Sequence, residues 1–157
     1  MLKIFITATD TDAGKTYAAQ ALVHVLVAKH NKVAVFKPIS AGCERIGDNL
    51  VNEDALLLLK QANCQQTLPQ VNPIAFEAAI APHIAAAQLQ ADITLSDIHL
   101  GYEAAMALKP DVLICEGAGG WRLPLGHGKY LSEFVQASRQ AVILIVHMKL
   151  GCLKHAG

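Results

Sequence analysis

A polar loop between an apolar run and a long helical stretch is the feature of this sequence that most constrains its fold. Residues 2–7 are mostly apolar and rich in β-branched side chains, which favours a strand, and they lead at once into the polar loop 8–13. Residues 14–29 contain no proline and mostly good helix formers, and His30 and Asn31 follow as stop signals. A helix of about four turns is therefore expected after the loop.

The end of this loop has the residues of a phosphate-binding turn. Gly14 lets the backbone turn so that successive N–H groups point inward, and the start of the helix adds partial positive charge. Lys15 would contact the outer phosphates of a nucleotide, and the Thr16 hydroxyl would bind Mg²⁺. Thr9 occupies the first glycine position of the standard P-loop, so a modified loop is required. The alternative is that Lys15 and Thr16 form an exposed first helical turn.

The rest of the chain continues the alternation of strands and helices. Strands are predicted at 32–37, 111–115 and 141–146, and helices at 14–29, 52–63, 82–89, 96–108 and 131–138. The runs 111–115 and 141–146 are continuously aliphatic, which is typical of parallel strands covered on both faces. Residues 65–81 contain two prolines and no sustained period, so they are interpreted as a connection over the sheet. The pattern predicts a single α/β domain with a mostly parallel sheet flanked by helices.

Composition excludes several classes of partner. Thirteen Lys plus Arg balance thirteen Asp plus Glu, so no basic field is available for nucleic acid or anionic lipid. The four cysteines are too far apart for a C-x-x-C pair and too few for a disulfide scaffold, which favours reduced thiols in a cytoplasmic protein. The longest aliphatic run, 141–146, is far shorter than a membrane span.

Three further polar residues are candidates for the same site. Lys37 ends the second strand and Glu116 follows the third, so both lie where parallel α/β sheets bind ligands. Glu116 opens the glycine-rich stretch 116–120, which is interpreted as a flexible turn, and acids at such strand ends complete Mg²⁺ coordination in P-loop proteins. Lys37 could instead be a lysine that extends to solvent at a strand end. Asp54, in the first turn of a helix, could instead be a partner of the helix dipole.

Sequence blocks in the same order as these candidates resemble the dethiobiotin synthetase family. The family loop G-T-D-T-x-x-G-K-T is similar to residues 8–16, with Ala8 in place of the first glycine, and Lys37-Pro38 matches the family K-P. Family members usually carry Ser or Thr immediately before a glycine at this place. This chain has Ser40-Ala41-Gly42, so its hydroxyl lies one residue earlier. Further matches are D-A-L at 54–56, A-P-H-x-A-A at 81–86, E-G-A-G-G at 116–120 and K-L-G-C at 149–152, where a later family Asn is replaced by Lys154.

The resemblance implies roles for individual residues. Lys15 and Lys37 would be catalytic, and His83 is interpreted as structural. The Mg²⁺ ligands would be Thr16, Asp54 and Glu116. The substrate would be contacted by Thr11, Lys37 and Ala41. The nucleotide would be bound by Asp12, Ala13, Gly14, Lys15, Thr16, Tyr17, Asp54, Glu116, Gly117, Ala118 and Gly119.

The resemblance also implies a reaction and partners. Mg-ATP would drive carboxylation of 7,8-diaminopelargonate with CO₂ and closure of the ureido ring, in a cytoplasmic homodimer. Family members continue past the K-L-G-C block with an adenine-recognition segment, so residues 1–157 are expected to form an incomplete P-loop domain that lacks the C-terminal strands, with marginal stability. Two alternatives stay open: another P-loop amidoligase or regulatory ATPase, and an inactive remnant that binds nucleotide weakly.

Overall fold

The computed structural model describes residues 1–148, 150 and 152, and their central element is a parallel sheet. The strands are β1 (Leu2–Ala8), β2 (Val33–Phe36), β3 (Ile39–Ser40), β4 (Glu44–Ile46), β5 (Asn49–Val51), β6 (Ile74–Ala75), β7 (Val112–Gly120), β8 (Pro124–Gly126), β9 (Lys129–Tyr130) and β10 (Ala141–Ile145). The helices are α1 (Lys15–Ala28), α2 (Glu53–Gln61), α3 (Leu68–Val71), α4 (Pro82–Gln88), α5 (Leu95–Ala107) and α6 (Leu131–Ala137).

The main sheet has four strands in the order β10-β1-β7-β2, and every pair in it is parallel. Three two-strand pairs, β3 with β6, β4 with β5 and β8 with β9, lie outside it. The predicted α/β fold with a mostly parallel sheet flanked by helices is confirmed. Because the strands are parallel, their carboxyl ends share one edge, and the loops that follow β1, β2 and β7 meet there.

Alternate residues of β1, β2 and β7 face two separate hydrophobic cores. Ile4, Val35 and Ile114 belong to a core that α1 and α2 cover with residues such as Ala19 and Leu58. Their neighbours along the strands face the opposite core, which α5 and α6 cover. This second set of strand residues is Phe5, Ala34, Phe36, Leu113 and Cys115. The side-chain period of two thus buries both faces of β1, β2 and β7, which holds the strand ends rigidly in place.

Two sequence interpretations are wrong. Residues 65–81 are not a plain connection, because α3 and β6 lie within them. Thr67 and Gln70 form a capping box that starts α3, and β6 pairs with β3. Residues 116–120 are not a turn either, because β7 runs on to Gly120, which pairs with Ala8 across an irregularity in the register.

The expectation that 141–146 is covered on both faces is also wrong. Within the described chain β10 has one strand neighbour, β1, and Val142, Ile143 and Leu144 are 46%, 37% and 38% exposed. β2 is also an edge strand but is fully buried, so the exposure of β10 reflects missing cover over its faces, and an aliphatic sequence does not by itself secure burial. Within the K-L-G-C match, Lys149 and Gly151 lie outside the described residues, as does Lys154.

Candidate active site

The turn between β1 and α1 presents main-chain amides to the carboxyl edge of the sheet. Gly14 has φ +94°, the left-handed region in which a side chain is strained, and it is the residue immediately before α1. No side chain of the described residues caps this end of the helix, and its first turn holds no acidic residue. The first N–H groups of α1 are therefore available to an anion, and the helix dipole favours one.

Lys15 is directed into this site rather than into solvent. Only 8% of Lys15 is exposed, and its Nζ donates to the carbonyl oxygen of Asp10 at 3.3 Å. Burial lowers the pKa of Lys15 from its ordinary value, and the nearby charge of Lys37 lowers it further, whereas Glu116 and Asp54 raise it. The alternative interpretation of Lys15 as part of an exposed helical turn is therefore wrong.

Lys37 follows β2 and is held between two carboxylates. Its Nζ lies 2.7 Å from Glu116 Oε1 and 3.6 Å from Asp54 Oδ2, and only 4% of the side chain is exposed. A lysine that merely extends to solvent at a strand end would be far more exposed, so that interpretation is wrong. Asp54 lies in the first turn of α2, where a carboxylate is a partner of the helix dipole. Its carboxylate also contacts Lys37, so it belongs to the same cluster of charges.

Glu116 is the fully buried centre of the cluster. It lies on β7, it is 0% exposed, and its Oε1 accepts hydrogen bonds from Thr16 Oγ1 at 2.8 Å and from Lys37 Nζ. Its Oε2 is buried and has no hydrogen-bond partner among the described residues. A buried carboxylate oxygen is costly unless something binds it, so Oε2 is suited to accept a hydrogen bond or to contact a cation.

A cavity of about 780 Å³ opens above this cluster. Its lining comes from the phosphate-loop turn, the ends of β2 and β7, the start of α2 and residues 79–82. The predicted site residues that line the cavity are Thr11, Asp12, Gly14, Lys15, Thr16, Tyr17, Lys37, Ala41, Asp54, Gly117, Ala118 and Gly119. Glu116 joins this set through Thr16 and Lys37, whereas Ala13 and His83 do not line the cavity. The structure thus brings together predicted residues from four separate segments of the sequence, 11–17, 37–41, 54 and 116–119.

Other residues of the cavity were not predicted. Asn52 lines it and also caps α2, because its side chain accepts a hydrogen bond from the Ala55 N–H at 3.1 Å. Ala79, Ile80 and Pro82 supply an apolar wall. Residues 81–86 were singled out as a family match, but their place in the chain gave no sign that this wall would face the phosphate loop. The fold alone supplies that information.

Ala8 stands where the family loop has glycine, and its methyl group is buried within the sheet. Ala8 is the last residue of β1, it is 1% exposed, and it pairs with Gly120 on one side and Ile145 on the other. The substituted residue is therefore part of the sheet and is not among the residues that line the cavity.

Within the described chain, no helix is long and apolar enough to cross a membrane.

Fold and site together define an α/β domain of the P-loop class. A family model described as an AAA domain matches residues 2–156. The ATP-dependent dethiobiotin synthetase BioD of Pseudoalteromonas translucida is 47% identical over 157 residues, which are 99% of this chain and 69% of that protein. The enzymes of the same name from Idiomarina loihiensis and Aeromonas salmonicida are each 47% identical over 152 residues, which are 97% of this chain and 68% and 67% of those proteins. The chain belongs to the dethiobiotin synthetase family.

Proposed function

We propose that this chain uses Mg-ATP to close the ureido ring of dethiobiotin. CO₂ adds to one amine of 7,8-diaminopelargonate to give a carbamate, and the carbamate oxygen attacks the γ-phosphate of ATP, releasing ADP. The second amine then attacks the carbamate carbon, the ring closes, and inorganic phosphate leaves. The relatives are named for ATP-dependent dethiobiotin synthesis, and the site has the charges that such a phosphoryl transfer requires.

The observation that carries this proposal is the convergence of two lysines and a buried acid beside the phosphate-loop turn. Lys15 comes from the first turn of α1, Lys37 from the end of β2 and Glu116 from β7, and Lys37 contacts Glu116 at 2.7 Å. Phosphoryl transfer needs positioning and charge neutralisation more than covalent help from the protein. Lys15 and the amides of α1 would bind the outer phosphates, and Lys37 would hold the carbamate oxygen in line with them.

The residues present fit a magnesium ion. Thr16 Oγ1, a carboxylate of Asp54 and the unpartnered Glu116 Oε2 are hard oxygen ligands of the kind that Mg²⁺ prefers. When bound, the ion would supply positive charge that neutralises the nucleotide phosphates during phosphoryl transfer. Thr16 Oγ1 and Lys37 Nζ now share Glu116 Oε1, which orients the carboxylate so that Oε2 faces away from both hydrogen bonds.

The lining of the cavity suits both ends of the proposed substrate. Lys15 and Lys37 line the cavity and would face the reacting carbamate and phosphate. Ala41, Ile80, Pro82 and Leu123 also line it and carry no charged group, which suits a hydrocarbon chain. A diamine carried on an aliphatic chain would place its amines toward the lysines and its chain against the apolar wall.

The remaining proposals rest on family membership. We infer that residues 1–157 act as one nucleotide-binding domain, that the protein works in the cytoplasm and that it assembles as a homodimer. The small-molecule partners would be ATP, CO₂ and the diamine. Analytical ultracentrifugation across a range of protein concentrations tests the dimer, since a sedimentation coefficient that stays at the monomer value would exclude it.

The direct test is a product assay. The purified protein is incubated with 7,8-diaminopelargonate, bicarbonate and Mg-ATP, and dethiobiotin and ADP are quantified by mass spectrometry. The proposal expects both products in equal amounts, and neither when the diamine is left out. ATP hydrolysis that does not depend on the diamine would instead indicate another ATPase or amidoligase of the P-loop class, and no nucleotide binding at all would indicate an inactive remnant.

A further inference from the structure

The main chain of Lys37 is fixed by a segment that lies outside the cavity. The ladder between β2 and β7 ends at Phe36, so the sheet does not hold the next residue. The Lys37 N–H donates to the carbonyl oxygen of Val71 at 2.8 Å, and the Lys37 carbonyl oxygen accepts a hydrogen bond from Asn72 Nδ2 at 2.8 Å. Both polar main-chain groups of Lys37 are therefore held by two consecutive residues at the end of α3.

The Asn72 side chain is locked in the orientation that this contact requires. Asn72 is 6% exposed, and its Oδ1 accepts a hydrogen bond from Ser40 Oγ at 2.6 Å. Because the Lys37 carbonyl oxygen can only accept, the amide nitrogen is the atom turned toward Lys37, which leaves Oδ1 for the Ser40 hydroxyl. Ser40 Oγ also lies 3.1 Å from Cys43 Sγ, so the hydroxyl is fixed from a second side.

This network gives a buried partner to the Ser40 hydroxyl, which lies one residue earlier than the Ser or Thr of the family pattern. The Ser40 hydroxyl is buried and bonded to Asn72, and both Ser40 and the next residue, Ala41, are among the residues that line the cavity. Ser40 thus acts on Lys37 through Asn72 and the two residues form one buried chain of hydrogen bonds. Asn72 itself does not line the cavity.

We propose that Asn72 is a positioning residue for Lys37, with Ser40 fixing the Asn72 amide. Lys37 Nζ lies within hydrogen-bond distance of a fully buried carboxylate, so a small displacement of its backbone breaks the 2.7 Å contact and misaligns the ammonium group. Displacements on the order of 1 Å away from reactive geometry cost up to about 100-fold in rate. The catalytic part of this inference rests on the proposed function, whereas the effect on the position of Lys37 does not.

The test compares Asn72→Asp, Asn72→Ala and Ser40→Ala with the parent protein in two measurements. The first is the rate at which an amine-selective acylating reagent modifies Lys37, followed by peptide mass spectrometry. The second is dethiobiotin synthesis, from which kcat and the KM for ATP are separated. The thiol of Cys115, which is 0% exposed on β7, is labelled in the same samples and reports global unfolding.

The proposal expects Lys37 to be modified about tenfold faster in Asn72→Asp, with kcat lowered about tenfold and the KM for ATP unchanged. Cys115 labelling should stay at the parent rate. Ser40→Ala should also raise the rate of Lys37 modification and lower kcat, each by a smaller factor. This variant keeps the proposal testable if the Asn72 variants do not fold. Unchanged Lys37 labelling and unchanged kcat in the folded variants, or labelling of Lys37 and Cys115 that rises in parallel, would overturn it. If the parent protein makes no dethiobiotin, the proposed function fails, and Lys37 labelling alone decides the role of Asn72.

Discussion

Glu116 and Lys37 form a buried ion pair, so the two side chains are energetically coupled. Glu116 is 0% and Lys37 4% exposed, and they lie 2.7 Å apart. Taking two charges out of water is expensive, so such a pair is a poor means of stabilising a fold compared with apolar packing. Its position at the cavity floor indicates that these charges are kept for their effect on a bound ligand.

Replacing Lys37 tests this interpretation. We expect Lys37→Ala to lower dethiobiotin formation at least about 100-fold, because the charge facing the transferring phosphoryl group is lost. Binding of Mg-ATP should persist, since Lys15 and the amides of α1 are unchanged. Turnover and calorimetric titration with Mg-ATP measure the two effects. Lys60→Ala, an exposed lysine on α2, is the matched control, and turnover retained in Lys37→Ala would remove Lys37 from the proposed role.

Lys15 makes the site less stable than an uncharged residue would. Burial, with Lys37 as a second cause, lowers the pKa of Lys15, which means that the folded state disfavours its charged form. Below the lowered pKa the penalty is present in full, and it is relieved as the pH rises through the lowered pKa toward the ordinary value, because the folded state then loses the proton first.

We therefore expect Lys15→Met to melt at a higher temperature than the parent protein at neutral pH. The difference should shrink as the pH rises toward the ordinary lysine value, and nucleotide binding should be weakened. Thermal melts of both proteins from pH 7 to pH 10 measure the sign of this difference in melting temperature and its change with pH. A variant that melts below the parent at neutral pH would show that Lys15 stabilises the fold.

At the scale of elements, β7 brings the buried acid and the glycine-rich segment to one edge. Its residues 112–115 pair with both β1 and β2, and its continuation to Gly120 reaches the end of β1. Gly117 follows Glu116 immediately, and a Cβ at Gly117 would lie 2.8 Å from Phe5 Cζ. Phe5 is 2% exposed and packs edge-on against Trp121, so its ring has little room to yield.

Gly117→Ala should therefore lower the free energy of unfolding by about 1–3 kcal/mol, as overpacking of a core does. Thermal unfolding measures this as a loss of about 2–4 °C per kcal/mol for a chain of this size. Gly120→Ala on the same strand is the matched control, because its Cβ would meet the Ala8 carbonyl oxygen at an ordinary 3.6 Å. Equal melting temperatures for the two variants would show that Phe5 adapts.

The strands and helices that were predicted correctly are those whose own residues indicate the element. Continuous aliphatic runs located β1, β2, β7 and β10, and stretches of helix formers located α1, α2 and α5. The extension of β7 and the pairing of β6 were missed because both depend on strands that are distant in sequence. Lys37, Asp54 and Glu116 could be predicted from strand ends and family blocks, whereas Asn72 could not, since its importance arises only from contact with Lys37.

For the whole molecule, the described surface has an apolar sheet edge. Val142, Ile143 and Leu144 are each more than a third exposed on β10, which has one strand neighbour among the described residues. Aliphatic edge strands readily pair with other chains. We expect the 157-residue chain to self-associate or aggregate and to melt at low temperature or without cooperativity.

Size-exclusion chromatography with light scattering and thermal melting measure these properties. The double variant Val142→Lys/Leu144→Lys should shift the protein toward the monomer while Mg-ATP binding persists, because charged side chains block edge pairing. A matched pair of lysines at exposed residues of α1, His24→Lys and Val25→Lys, controls for added charge. A monodisperse parent monomer that melts cooperatively would contradict the expectation.

The central claim is that the turn before α1 binds nucleotide phosphates beside a Mg²⁺ site formed by Thr16, Asp54 and Glu116. Calorimetric titration of ATP into the protein, with Mg²⁺ and then with the metal chelated, tests it most directly when Glu116→Gln is measured in parallel. The account predicts tight binding that depends on Mg²⁺ in the parent protein and loses most of that dependence in Glu116→Gln. An ATP affinity that is the same with and without Mg²⁺, or the same Mg²⁺ dependence in both proteins, would contradict it.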